Sequence, residues 1–449
     1  MKRFAIAGVL APDRDPGVRE RAAMKTARLG LAAVAALLAL ALPTVAQANE
    51  VTKWNEVAVN TVLLQPPIAS QPPAAAVFMA TVQGAVYGAA NAVDRHGKPY
   101  LVQRSFPKAS LEAAVATAAF RVIDGTFSAQ HATLQAAYDS SLAAIPDGSS
   151  KDQGIEVDTM AADAMLAGGH FDPVAMPCDF GSGPGVFQVL AGQACDPTQW
   201  VAHAVPFLVE SADQFDTAGP YPLTSAAYAK DVNEVESYGA INSAIRTPEQ
   251  THIAAFWQSN PAPGYNALGR RFVDQLSLST RESALLFGMI DLTAADALIT
   301  TWNDKYDWKF WRPMAAIRNA DTDGNPDTVK DGSWTSLFDP SLPASIGGGG
   351  PALITPPFPD HPSGHASVTS ATMNAFRSFF GTNDMTFFLT SSRFPGEQRF
   401  YSHFSDVTDQ VVEARIWGGI HFRHADEAAA NIGREVEAYT HEHQFDFVG

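Results

Sequence analysis

Residues 356–370 read PPFPDHPSGHASVTS, and the tetrapeptide Pro362-Ser363-Gly364-His365 leads directly into an apolar-periodic segment from about Ala366 to Phe380. Proline and glycine bend the chain, and the periodicity that follows predicts a helix. The Ser363 hydroxyl, the Gly364 N–H and the His365 imidazole therefore stand at a helix N-terminus, where unpaired amides and the dipole favour a bound anion.

Two other stretches give this turn its meaning. In KYDWKFWRP, Lys305 and Arg312 are seven positions apart, about two helical turns, which predicts that both cations project to one side. In RIWGGIH, Arg415 and His421 flank the end of a helix broken by Gly418 and Gly419. Lys305, Arg312, Ser363, Gly364, His365, Arg415 and His421 together describe a pocket for a tetrahedral oxyanion, since an arginine fork holds two anion oxygens at once and a lysine adds a compact charge. Other chemistries fit less well. His361 and His365 have the spacing of two zinc ligands, but no H-E-x-x-H glutamate is present and nearby cations repel a divalent metal. Ser363 lacks the G-x-S-x-G elbow of a hydrolase nucleophile. Gly347 to Gly350 lacks the Gly-Lys-Ser/Thr of a phosphate loop and reads as a connection.

These three stretches resemble, in order, the K-x6-R-P, P-S-G-H and R-x5-H signatures of the superfamily that joins vanadium-dependent haloperoxidases to type 2 phosphatidic acid phosphatases. The signatures fall between residues 302 and 426, and the rest of the chain is similar only in its helical character. The resemblance implies that His421 bonds the central atom of a bound vanadate or phosphate and that His365 is its acid-base partner. It also implies that Lys305, Arg312, Ser363, Gly364 and Arg415 hold the oxygens. Trp302 and Phe358 match residues beside the halide in the haloperoxidases, and His361 stands next to the motif as a further imidazole for that pocket. One departure is plain: the phosphatase form has an aspartate four residues after the second histidine, and here that position is Ala425, with Asp426 one later. Another acceptor, or Asp426 through a loop, must then fix the His421 ring.

The remainder of the chain sets the context. Its 46% hydrophobic and 17% charged residues exclude a disordered chain. A net charge of -17 argues against nucleic acid, which needs a basic face. Residues 24–48 read as a secretory signal, with Lys25 and Arg28, the apolar run LGLAAVAALLALAL and the small-x-small Ala46-Gln47-Ala48; Met24 is the expected start. Cys178 and Cys195 are the two cysteines, expected to pair in an exported chain. Alanine-rich amphipathic segments from Glu50 to Gly168, an irregular stretch from Gly169 to about Pro222, helical patterning over Ser225–Trp308, and segments from about Ser405 to Trp417 and His424 to His443 predict an all-α fold. Its expected form is two packed helical bundles, residues 49–222 and 223–449, with the oxyanion site in the second.

The expected function is a secreted or periplasmic haloperoxidase that takes vanadate as cofactor, hydrogen peroxide and halide as partners and a small organic molecule as acceptor, without a membrane span after processing. The acidic surface is compatible with a homodimer. A soluble acid phosphatase working through a phosphohistidine, with phosphate in the vanadate site, and an oxyanion-binding protein without turnover remain open.

Overall fold

The computed structural model describes residues 49–339, 348 and 353–446. The expected signal segment lies outside the described residues, as does the Gly347–Gly350 run apart from Gly348. The first bundle consists of α1 (Glu50–Leu63), α2 (Pro67–Ser70), α3 (Pro72–Val93), α4 (Leu111–Thr126), α5 (His131–Ala143) and α6 (Ser149–Ala167). Because α3 is mostly small residues, neighbours approach closely and nearly its whole circumference is buried. The second half has α7 (Ala226–Gly239), α8 (Pro248–Phe256), α9 (Pro261–Leu276), α10 (Thr280–Trp308), α11 (Pro313–Arg318), α12 (Gly364–Phe380), α13 (Phe404–Trp417) and α14 (Arg423–Thr440).

Helix α10 joins the bundles, packing on α3 to one side and on α12 and α14 to the other. One apolar cluster consequently runs from Val51 to Phe445. Both α3 and α10 have the length and hydropathy of a spanning helix, but 100% and 94% of their apolar windows are covered by this protein itself. A capping box formed by Ser279 and Glu282 starts α10. Lys309 ends it in the left-handed conformation, with φ 48°. Arg312 is therefore not two turns along the same helix as Lys305; it is the N-cap residue of α11. The two cations converge because the chain folds back, not because a helical face aligns them.

A hairpin that the helical reading did not foresee inserts between α12 and α13, with β1 (Asp384–Ser391) antiparallel to β2 (Phe394–His403) and Phe387 opposite Tyr401. Phe387 packs on Phe404 at 5.1 Å while its neighbour Phe388 lies under the Arg271 guanidinium at 4.4 Å. Adjacent phenylalanines on opposite faces hide the polar-apolar alternation that marks a strand.

The irregular stretch before α7 is anchored rather than loosely draped. Asp296 of α10 accepts from the backbone N–H groups of Phe207, Leu208 and Val209 at 2.7, 2.8 and 3.1 Å. Asp304 accepts from the Thr217 hydroxyl at 2.6 Å. Cys178 and Cys195 are joined in a disulfide with Cα atoms 6.1 Å apart.

Candidate active site

A chamber of about 490 Å³ opens where the N-terminus of α12 meets the C-terminal end of α13. Gly364, His365, Arg415 and His421 line it, together with Trp302 and Phe358. The three separated signature segments thus meet at one place. Trp302 and Phe358 touch with ring centroids 5.2 Å apart. Gly364 has to be glycine, because a Cβ there would stand 2.5 Å from the Trp302 ring.

Lys305, Arg312 and Ser363 are buried close behind. The Lys305 ammonium donates to the carbonyls of Pro359 at 2.9 Å, Asp360 at 3.0 Å and Pro362. Burial, then the neighbouring Arg312, holds its pKa well below the usual lysine value. Arg312 donates to the Phe358 and Ile420 carbonyls, both at 2.6 Å. It thereby clasps the loop before α12 to the turn that carries His421, and its guanidinium lies 4.8 Å from the centre of the Phe358 ring. These two cations brace the cup as well as charging it.

His421 is oriented by Asp360. Its Nδ1 lies 2.8 Å from the Asp360 carboxylate, and both side chains are sealed from solvent. Arg312 lies 3.5 Å from the other ring nitrogen, Nε2. Since the guanidinium only donates and the carboxylate accepts, the proton is assigned to Nδ1 and the lone pair to Nε2. Burial pushes Asp360 up to about 7 against the pull of Arg312 and Lys305. Burial, reinforced by Arg312 and Arg415, pushes His421 well below the ordinary imidazole value.

The half-buried His365 has Nε2 3.3 Å from the Ser259 carbonyl. Burial and then Arg415 depress its pKa strongly, so the ring is neutral near pH 7. Donation to Ser259 through Nε2 leaves Nδ1 as its acceptor. Arg415 donates to the Gln258 amide oxygen at 2.8 Å, and burial lowers it to about 9 although Asp426 pulls the other way. Asp426 is fully buried beside Ser363 and Arg415, and burial raises its pKa well above that of an ordinary carboxyl.

The expectation for His361 fails. Its Nε2 lies 2.7 Å from the Thr217 hydroxyl and its ring stacks on His424 at 5.2 Å. It borders a separate small cavity with Tyr221 and Asp231, so it does not line the halide end of the chamber and does not join His365 as a metal pair. The partner missing from the position of Ala425 is supplied by Asp360, from the loop before α12. An acid between two prolines beside the motif is the signal that could have found it. Gln258, Ser259 and Asp196 lie more than a hundred residues from the residues they hold, and no local pattern marks them.

The arrangement suits a tetrahedral oxyanion. Arg415 Nε is buried without an ordinary hydrogen-bond partner, and the buried Ser363 hydroxyl lies against Asp426. The Gly364 N–H begins a helix and has no partner within it. The His421 Nε2 lone pair completes the set.

Comparison with known proteins agrees with this geometry. The family described as the VCPO second helical-bundle domain matches residues 285–449, which include every signature residue. Over these residues the chain is similar to the vanadium haloperoxidases. A vanadium chloroperoxidase of Curvularia inaequalis is 31% identical over 157 residues, 31% of this chain and 24% of that relative, so the match spans about a quarter of its length. The crystal structure of the first bacterial vanadium-dependent iodoperoxidase superposes with a TM-score of 0.68 at 21% identity, covering 87% of this chain and 96% of that one. Holo-type bacterial vanadium-dependent chloroperoxidase gives 0.62 at 17%, covering 86% and 95%. At these identities the structural haloperoxidase neighbours establish the shared helical fold.

Proposed function

We propose that the protein is an exported vanadate-dependent haloperoxidase that oxidises halide with hydrogen peroxide to hypohalous acid. The observation that carries this reading is the His421 ring, held at Nδ1 by Asp360 and presenting Nε2 toward a cup of buried cations beside an aromatic wall. Vanadate, held by His421 Nε2, Arg415, Ser363 and the Gly364 amide with Lys305 and Arg312 adding positive charge from behind, would supply the Lewis-acidic centre that activates peroxide. The chain's own work is electrostatic and acid-base. Arg312, Arg415 and Lys305 offset oxyanion charge in a site where water screens little. His365, neutral at rest, accepts a proton at Nδ1 and returns it. Trp302 and Phe358 give the halide a largely dry, polarisable neighbour.

A phosphatase reading uses the same cup, and the carboxylate contact on His421 favours it in one respect, because a phosphohistidine enzyme needs the same ring orientation. Purified protein with added orthovanadate, peroxide and chloride, bromide or iodide should halogenate monochlorodimedone or form triiodide. Without vanadate it should leave p-nitrophenyl phosphate intact. Phosphate ester turnover with no halide oxidation would reverse the assignment. Export is supported by the disulfide, and N-terminal sequencing of the mature protein should begin near residue 49.

A further inference from the structure

The chamber is far larger than its proposed small reactants require. Halide and peroxide each need about the 30 Å³ share of a water molecule, whereas about 490 Å³ is open here. That falls in the roughly 300–1,000 Å³ range of sites that enclose a small organic ligand. Its walls beyond the oxyanion end are Leu298, Trp302, Leu353, Phe358 and Val368, with several prolines. The buried polar side chains among them are already committed to the protein. Asp196 takes Thr198 on one oxygen and Trp302 with Tyr306 on the other. Gln258 accepts from Arg415, and Asn260 bonds the Ser70 carbonyl and the Ala262 amide. The unpaired Arg415 Nε instead lies at the end with His365 and His421.

We infer that the chamber binds an aromatic acceptor, stacked between the apolar walls with its reacting carbon toward His365 and Arg415, and that halogen is delivered to it there. This rests on the haloperoxidase reading and adds a second bound substrate to it. In the step, a ring carbon attacks the halogen of hypohalous acid, the carbon–halogen bond forms and the halogen–oxygen bond breaks. The oxygen departs as hydroxide, which takes the ring proton to give water; carbon loses two electrons and halogen gains two.

The test uses 1-naphthol, which halogenates at two ring positions, and the exposed wall residue Ile354, outside the catalytic cup. Titrating vanadate-free protein with 1-naphthol should give saturable quenching of tryptophan fluorescence, weakened in Ile354→Trp and retained in Ile354→Val. With vanadate, peroxide and bromide, the isomer ratio should differ from that given by reagent hypobromite in the same buffer, and Ile354→Trp should move it toward the reagent ratio. Triiodide formation, which needs no organic acceptor, should be the same in both variants as in the wild type. Absence of saturable binding, or a wild-type ratio equal to the reagent's, overturns the inference while triiodide formation still supports the haloperoxidase reading. Failure of triiodide formation counts against that reading instead, and the binding titration continues to judge the acceptor site.

Discussion

Asp360 and His421 lie 2.8 Å apart with neither side chain more than 1% exposed, so the contact fixes both ring tautomer and ring plane. Asp360→Asn should keep the shape but lose the charge that makes Nε2 a better donor. Vanadate affinity is then expected to fall roughly 10- to 100-fold, read by titrating activity against orthovanadate, while the folded helix content stays unchanged by circular dichroism. His421→Ala should abolish vanadate binding and turnover together; normal activity in that variant would remove the central assignment. His365→Ala separates binding from chemistry, since vanadate affinity should persist while kcat drops roughly 100-fold or more. A parallel fall in affinity would make His365 a binding residue.

At the scale of elements, the turn between α13 and α14 decides where His421 points. Gly419 has φ 72°, and a Cβ there would collide with the Gly239 carbonyl of α7. Gly419→Ala should cost about 1–3 kcal/mol and, because the turn carries His421, also weaken vanadate binding; thermal melts and the same titration read both. A second element-level device joins α1, α9 and α10 through Asn55, Asn266 and Asp291, with Asn266 donating to Asp291 at 2.8 Å. Burial pushes Asp291 up to about 7, above its ordinary 3.8, despite the Asn266 bond and Arg270. The unfolded chain releases this proton first. The group's contribution is therefore whole below about pH 4 and lost as pH rises toward 7, up to about 4 kcal/mol. Asp291→Asn should flatten that part of the stability profile, and an unchanged pH dependence of the thermal midpoint would refute it.

Over the whole molecule, one continuous apolar cluster fuses both bundles around α10, so the site is supported from both halves of the chain. The disulfide belongs to this scale because it closes a loop within the long connection that Asp196 ties to α10. Next to Cys195, Asp196 accepts from Trp302 at 3.2 Å and from Tyr306 at 2.6 Å. Reduction should cost about 3 kcal/mol by chain entropy and also shift tryptophan emission as the Asp196 anchor loosens. Thermal melts and fluorescence with and without reductant, checked with Cys178→Ser, measure the two effects; an unchanged thermal midpoint would show that the bridge constrains little.

Taken alone, the sequence determined the helical class, the position of α12 after Pro362-Ser363-Gly364-His365 and the seven residues that the fold gathers at the chamber or close behind it, because periodicity, turn chemistry and charged motifs are written in neighbouring residues. The hairpin was not legible, since Phe387 and Phe388 face opposite ways with the same chemistry. The tertiary structure alone decided that Arg312 reaches the cup from a new helix, that Asp360 holds His421, and that His361 turns toward Thr217. It also decided that Asp196, Gln258 and Ser259 serve the site from a distance. Those relations depend on where the chain folds back on itself and on which buried polar groups are left to satisfy one another, and no local pattern encodes either.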